Sequence, residues 1–268
     1  MKIRVISGSP KWLQNINNMK IITTCLLLIY IHAGYAQKAK LPEAYTPLSI
    51  KTHFGTQLPF GALAKRFGRN LSAGAGLEFI SIPKGWIFGL DATHIFGQNI
   101  KEDVLKNIRT PDGQILSDIN TFATVLLRER GYYIGGYVGK LFPTFDNGNR
   151  IGGVCINLGA GFLQHKIKIR DENNAAPQVA PPYAEGYDRL TNGVAFTQFI
   201  GYQIISRNKT INFSVGMDIT EGFTKNRRGF NFDTRLRDDT KRLDILAGLR
   251  ATWSIVLFSN QKGENIEY

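Results

Sequence analysis

Eight stretches of this chain have strand character, and the clearest of them alternate apolar and polar side chains residue by residue. In Thr210–Phe223, Ile211, Phe213, Val215, Met217 and Ile219 alternate with Asn212, Ser214, Gly216, Asp218 and Thr220. Period two belongs to an extended strand with two unlike faces. The polar faces carry charge: Lys51, Glu78, Asp91, Asp218, Asp244 and Arg250, with Asn157 and many Gly, Ser and Thr. Charges of this number cannot lie unpaired in a dry core. Either a soluble sandwich turns these faces to water, or a closed barrel turns them into its interior and its apolar faces to lipid.

The connections separate the two readings. The eight segments are Leu48–Gln57, Leu71–Ile80, Trp86–Gly97, Leu126–Phe142, Ile151–Ile169, Gly193–Ile205, Thr210–Phe223 and Leu243–Phe258. Short turn-like links, "SIPKG", "PTFDNGN" and "SRNK", alternate strictly with four long ones. Short periplasmic turns and long extracellular loops are the asymmetry of outer-membrane barrels, and a Greek-key sandwich has no reason to show it. The fold expected is therefore all-β: an eight-stranded antiparallel up-and-down transmembrane barrel, with the first strand pairing the last. Trp86, Phe88, Tyr132, Tyr133, Phe142, Trp253 and Phe258 fall near strand ends, where girdles form. Two local features are also expected. One is a short helix at Lys101–Ile108. The other is a bulge near Leu163–His165, because Ile167 and Ile169 fall on the opposite parity from Val154–Phe162.

The N-terminus reads as an export signal. After Met19-Lys20 comes "IITTCLLLIYI", Ile21–Ile31, too short to span a bilayer and followed by small residues at Gly34 and Ala36. The competing reading is a buried core helix. Residues 1–36 are thus expected to be a signal peptide whose true start is Met19. An N-terminal periplasmic segment follows at 37–47, then the barrel at 48–258 and a polar tail at 259–268. Removing Lys2, Arg4, Lys11 and Lys20 from a formal charge of +12 leaves +8, and Cys155 stays as a lone cysteine. Export argues against nucleic acid as the partner of that charge.

The leader, the eight segments and a last strand "LAGLRATWSIVLF" closing on Phe258 resemble small outer-membrane barrels of the OmpA/OmpX-like architecture, in the style of Bacteroidota. The resemblance implies that Trp253 and Phe258 form a C-terminal signal for the outer-membrane assembly machinery, although ten residues follow Phe258. The function expected is a non-enzymatic structural or accessory subunit of a cell-envelope assembly, acting through its extracellular loops. A small porin-like channel and a lipid-modifying enzyme are the alternatives.

The candidate residues fall into two sets. Lys51, Glu78, Asp91, Asp218, Asp244 and Arg250 are expected to pair across the lumen and plug it. In the loops, Arg227, Arg228, Arg235 and Arg237 face either lipopolysaccharide phosphates, for which Arg is suited, or only water. Outer-membrane lipids, lipopolysaccharide and another envelope protein are the partners expected. No catalytic, cofactor or metal set is identified: His53, His94 and His165 are taken as isolated histidines at the extracellular rim. The proline-rich "APQVAPPYAEGYDRL" is read as a stiff, extended loop, either binding a partner or packed over the barrel mouth.

Overall fold

The computed structural model describes residues 46–81, 84–119, 121–147, 150–206 and 212–260, with side chains as far as Leu257. The expected leader, most of the segment 37–47 and the tail beyond Asn260 lie outside these residues.

The period-two segments become the strands β1 (Thr46–Gly61), β2 (Asn70–Ser81), β3 (Trp86–Gly97), β6 (Val125–Asp146), β7 (Arg150–Asp171), β8 (Thr191–Ser206), β9 (Asn212–Asn226) and β10 (Lys241–Asn260). They close antiparallel in the order β1-β10-β9-β8-β7-β6-β3-β2. The first strand pairs with the last, Lys51 opposite Ser254 and Gly55 opposite Arg250. Closure leaves no free sheet edge, the condition for a sheet to sit in lipid. A separate two-stranded hairpin, β4 (Ile115–Leu116) and β5 (Phe122–Ala123), lies in the second loop.

Apolar side chains point outward along every barrel strand. Phe54 is 68 % exposed, Leu90 62 % and Leu249 58 %, while Lys51 and Asp91 in the same rows are buried. In water such a surface would be an aggregation liability; in a bilayer it is the stabilised face. Leu249→Arg is expected to lower barrel stability by ~2–4 kcal/mol, the cost of a charge on the lipid face near mid-bilayer. Urea unfolding of liposome-reconstituted protein measures it, and the same substitution should be harmless if this surface meets water.

The strands run further than their hydrophobic patterns. β1 continues through Leu58-Pro59-Phe60 paired with β10 alone, because pairing with β2 stops at Gln57. Pro59, which has no N–H, sits where one side of the ladder is already open. β6 takes in "PTFD", expected as turn, by a register shift between Pro143 and Phe145.

No bulge occurs at Leu163–His165: the β6–β7 register is continuous from Gly153 to Asp171. The parity of the side chains is unbroken too. What changes is the surroundings. Low on β7, Ile156, Leu158 and Phe162 face outward; higher up, Leu163, His165 and Ile167 are buried inside and Lys168 and Arg170 are exposed outside. The strand has left the bilayer. Its outer face meets water and its inner face meets a hydrophobic core built by the loops, so the apolar set moves to the other side.

Among the described residues, two apolar clusters occupy the two ends of the barrel interior. At the short-turn end Ile80, Ile87, Leu141, Ile151, Cys155, Phe199 and Ile205 pack together. At the loop end Ile95, Tyr133, Leu163, Ile167, Ala195 and Leu246 from the strands meet Leu63, Phe67, Val104, Leu105, Ile115, Val179 and Tyr187 from the loops. Tyr133, expected in a girdle, belongs to this inner cluster at 6 % exposure. Trp86, Phe88, Tyr132, Phe142 and Trp253 do face outward. Phe258 pairs with Leu48 through its backbone, and its side chain lies outside the described residues.

Candidate functional site

Between the two apolar clusters lies a polar layer. Lys51 Nζ on β1 is 3.1 Å from Asp91 Oδ1 on β3, with both side chains buried. Two glycines make this reach possible. A Cβ at Gly76 on the intervening β2 would stand 2.1 Å from the Leu90 carbonyl and 2.8 Å from Lys51 Cε. At Gly89 it would meet the Tyr137 hydroxyl at 2.3 Å. Without these Cβ atoms Lys51 and Tyr137 lie flat across the neighbouring strands. Lys51 Nζ sits 4.3 Å from the Tyr137 ring centre, and the Tyr137 hydroxyl donates to Glu78 at 2.6 Å. Gln203 donates to the other Glu78 oxygen at 2.9 Å. Arg250 Nη1 stands 3.6 Å from Asp91 and 3.8 Å from Asp218, its guanidinium 4.6 Å from the Phe199 ring centre.

Five of the six lumen residues read from the sequence therefore share one layer: Lys51, Glu78, Asp91, Asp218 and Arg250. Glu78 is held there by Tyr137 and Gln203 and not by a cation. Asp244 lies apart, higher up, where His165 Nε2 is 2.9 Å away and Thr224 donates to the same oxygen.

The histidines are not a rim set. His53 is buried in the polar layer, 3.0 Å from Thr93 and 3.5 Å from Asp91. His165 is buried under the loops, and His94 alone faces outward, stacked against Phe96. His165 and Asp244 resemble two members of a catalytic triad, but Thr224 bonds Asp244, not the histidine, and Nδ1 of His165 has no hydrogen-bond partner. Among the described residues no His, Cys, Asp or Glu group is placed to hold a metal ion.

A cavity of about 30 Å³ opens in the polar layer beside Gln57, Asp91, Asn157, Asp218 and Arg250. That is room for about two waters. Among the described residues, apolar clusters lie above and below this layer.

The long connections form the second site. The first contains a single helical turn, α1 (Leu63–Arg66), where extended strand gives way. The helix expected at Lys101–Ile108 is only a 3-10 turn at Lys106–Ile108. The proline-rich loop is not extended: 3-10 turns at Pro177–Val179 and Tyr183–Gly186 fold it over the mouth, with Val179 and Tyr187 buried. One chain of ion pairs links all four loops. Arg66 of the first binds Glu102 of the second at 2.9 Å. Glu102 binds Arg189 of the third at 2.9 Å, and Arg189 binds Asp233 of the fourth at 2.5 Å. Arg189 and Asp233 are 3 % and 4 % exposed, the burial at which pairing decides stability. Burial works against the Arg189 charge, yet its bonds to Asp233 and Glu102 raise its pKa above the ordinary arginine value. Burial dominates at Arg66 and pulls its pKa down.

These loop residues carry no motif; the first long connection is basic only, with Lys65, Arg66 and Arg69, while the other three mix both charge signs, and that was the only hint of them. Of the loop arginines singled out from sequence, Arg228 is held by Asp188 at 2.7 Å and Glu185 at 2.8 Å. Arg227 donates to Asn192, Arg237 pairs with Asp239 on the surface, and Arg235 sits at a positive φ of 54°.

A closed single-chain barrel with an apolar outer belt, a buried layer of charge inside, short turns at one end and long loops at the other belongs in the outer membrane of a Gram-negative bacterium. The chain is an integral outer-membrane β-barrel. Among solved structures it is similar to Neisserial surface protein A, at 10% identity over 80% of this chain and 99% of that one, TM-score 0.41. It is similar to the attachment invasion locus protein Ail of Yersinia pestis in complex with the heparin analogue sucrose octasulfate, at 10% identity over 79% and 99%, TM-score 0.33. It is also similar to the outer membrane protease OmpT from Escherichia coli, at 8% identity over 82% and 99%, TM-score 0.26. Likeness this distant carries nothing about activity. No family model matches the chain, and no curated protein matches its sequence.

Proposed function

We propose that this barrel is a non-enzymatic accessory subunit of a cell-envelope assembly: a sealed anchor presenting a preformed extracellular cap to another envelope protein. The observation that carries this reading is the chain Arg66–Glu102–Arg189–Asp233, one residue from each loop. It makes four loops into one body over a closed barrel. Loops serving a pore or an enzyme cleft would instead leave a way in. The cap also carries large apolar side chains on its outside, Ile119 at 72 % exposure, Leu236 at 66 % and Phe122 at 60 %.

The test is affinity isolation of the tagged protein from detergent-solubilised outer membranes. Stoichiometric recovery of one envelope protein, lost in Phe122→Ser with Leu236→Ser, is the expected result; recovery of the barrel alone removes the subunit reading. Planar-bilayer recording gives an independent check. No single-channel conductance is expected, because Ile80, Ile87, Leu141 and Ile151 close the short-turn end. Steady conductance would favour a channel.

A further inference from the structure

The cap and lumen absorb most of the charged side chains near the loop end, but a group on the outside of β6 and β7 is left over. Arg128 and Arg130 share the outward face of β6 with Tyr132 and Ile134, and Lys168 and Arg170 share that of β7 with Phe162. The ring contact between Tyr132 and Phe162, at 6.2 Å, joins two successive rows of this face just below the charges. Directly above it the register sets Arg130 opposite Lys166 and, one row higher, Arg128 opposite Lys168; Arg170 follows opposite Leu126. At about 3.3 Å of rise per residue, the two facing pairs begin within about 7 Å of the apolar row.

Like charges directly opposite on antiparallel strands destabilise a sheet, and here two such pairs stand in succession. Little within the protein offsets them. Lys166 reaches Asp188 at 3.6 Å, but Asp188 also serves Arg228. Arg130 donates to the Glu129 carbonyl, while the Glu129 carboxylate faces inward and accepts from Asn70. Among the described residues Arg128, Lys168 and Arg170 have no carboxylate within 4 Å. The arrangement is a cationic ladder directly above the apolar outer belt.

We infer that this ladder binds the phosphorylated headgroup of an outer-leaflet glycolipid of the lipopolysaccharide class. Its height selects a lipid over a soluble anion. The acyl chains lie against the Tyr132–Phe162 surface while phosphates and acidic sugars meet Arg130, Lys166, Arg128 and Lys168 in turn. Arg supplies paired donors for phosphate, and Lys supplies a mobile charge.

The experiment measures the unfolding temperature of the full barrel in detergent against added rough lipopolysaccharide. The wild type should gain stability in a saturable way. Arg128→Gln, Lys168→Gln, Arg170→Gln combined should bind roughly 100-fold more weakly, taking about 1 kcal/mol per cation at the headgroup plane. Arg235→Gln with Arg237→Gln, in the last loop, should bind as the wild type does. Dephosphorylated lipid should lose the effect, and inorganic phosphate at matched concentration should not produce it. Equal binding by the triple variant overturns the inference, as does loss of binding in the last-loop variant. Equal stabilisation by inorganic phosphate would make the ladder a general anion site and overturn it as well. Circular dichroism and the heat-modifiability shift of each variant establish that the barrel is folded before binding is compared.

Discussion

Arg189→Met is expected to loosen the whole extracellular cap while leaving the barrel closed. The substitution keeps most of the side-chain volume and removes the group that joins Glu102 to Asp233. Asp233 is then a buried carboxylate whose other oxygen is already without a partner. Removing one member of a buried ion pair costs about 3–5 kcal/mol, because the remaining charge stays desolvated. The cost falls on the loops, since no barrel strand contributes to the four-residue chain. Protease added to intact cells should cut within residues 172–190 and 227–240 in the variant and not in the wild type, with unchanged heat modifiability. The double variant Arg189→Met, Asp233→Leu should recover part of the resistance, because it removes the stranded charge too. Equal resistance of the wild type and Arg189→Met would mean that the apolar cluster of Leu63, Phe67, Val104 and Leu105 holds the cap unaided.

Arg250→Leu should act in the opposite place, destabilising the barrel and sparing the cap. Arg250 is the cation nearest Asp218 and the second near Asp91, which also has Lys51. Its loss leaves Lys51 as the one cation of a layer with three buried carboxylates, Glu78, Asp91 and Asp218, at a cost of about 3 kcal/mol. The check is the temperature at which the folded band converts to the unfolded one on a gel, together with the urea midpoint in liposomes. Arg250→Leu with Asp218→Leu should return toward the wild-type value. A single variant that melts as the wild type does would show that Lys51 neutralises the layer alone.

The barrel itself was legible because lipid reverses the usual arrangement. With apolar residues outside and charges inside, the period of two is written most clearly in the strands that cross the membrane, such as the one holding Phe213–Ile219. The same rule explains the errors. It holds only within the bilayer, so Leu163–Ile167 reads as a slipped strand when it is a straight one that has passed into water. Tyr133 and His165 mislead for the same reason: above the membrane the interior is an ordinary hydrophobic core. Lys51, Asp91 and Arg250 were recoverable as a set because each interrupts an apolar pattern. Tyr137 and Gln203, which hold Glu78, were not, since an aromatic or amide on a strand has many uses. The chain Arg66–Glu102–Arg189–Asp233 spans 167 positions in irregular loops, and no local spacing announces contacts of that range.

The polar layer also bears on how the chain enters the membrane. Its members come from β1, β2, β3, β6, β8, β9 and β10, and Arg250 meets Asp91 only after the two ends of the sheet have joined. A half-inserted ribbon would therefore expose raw charge to hydrocarbon at mid-depth. Closure of the seam between first and last strand is thus what brings these charges together inside the ring, shielded from the hydrocarbon.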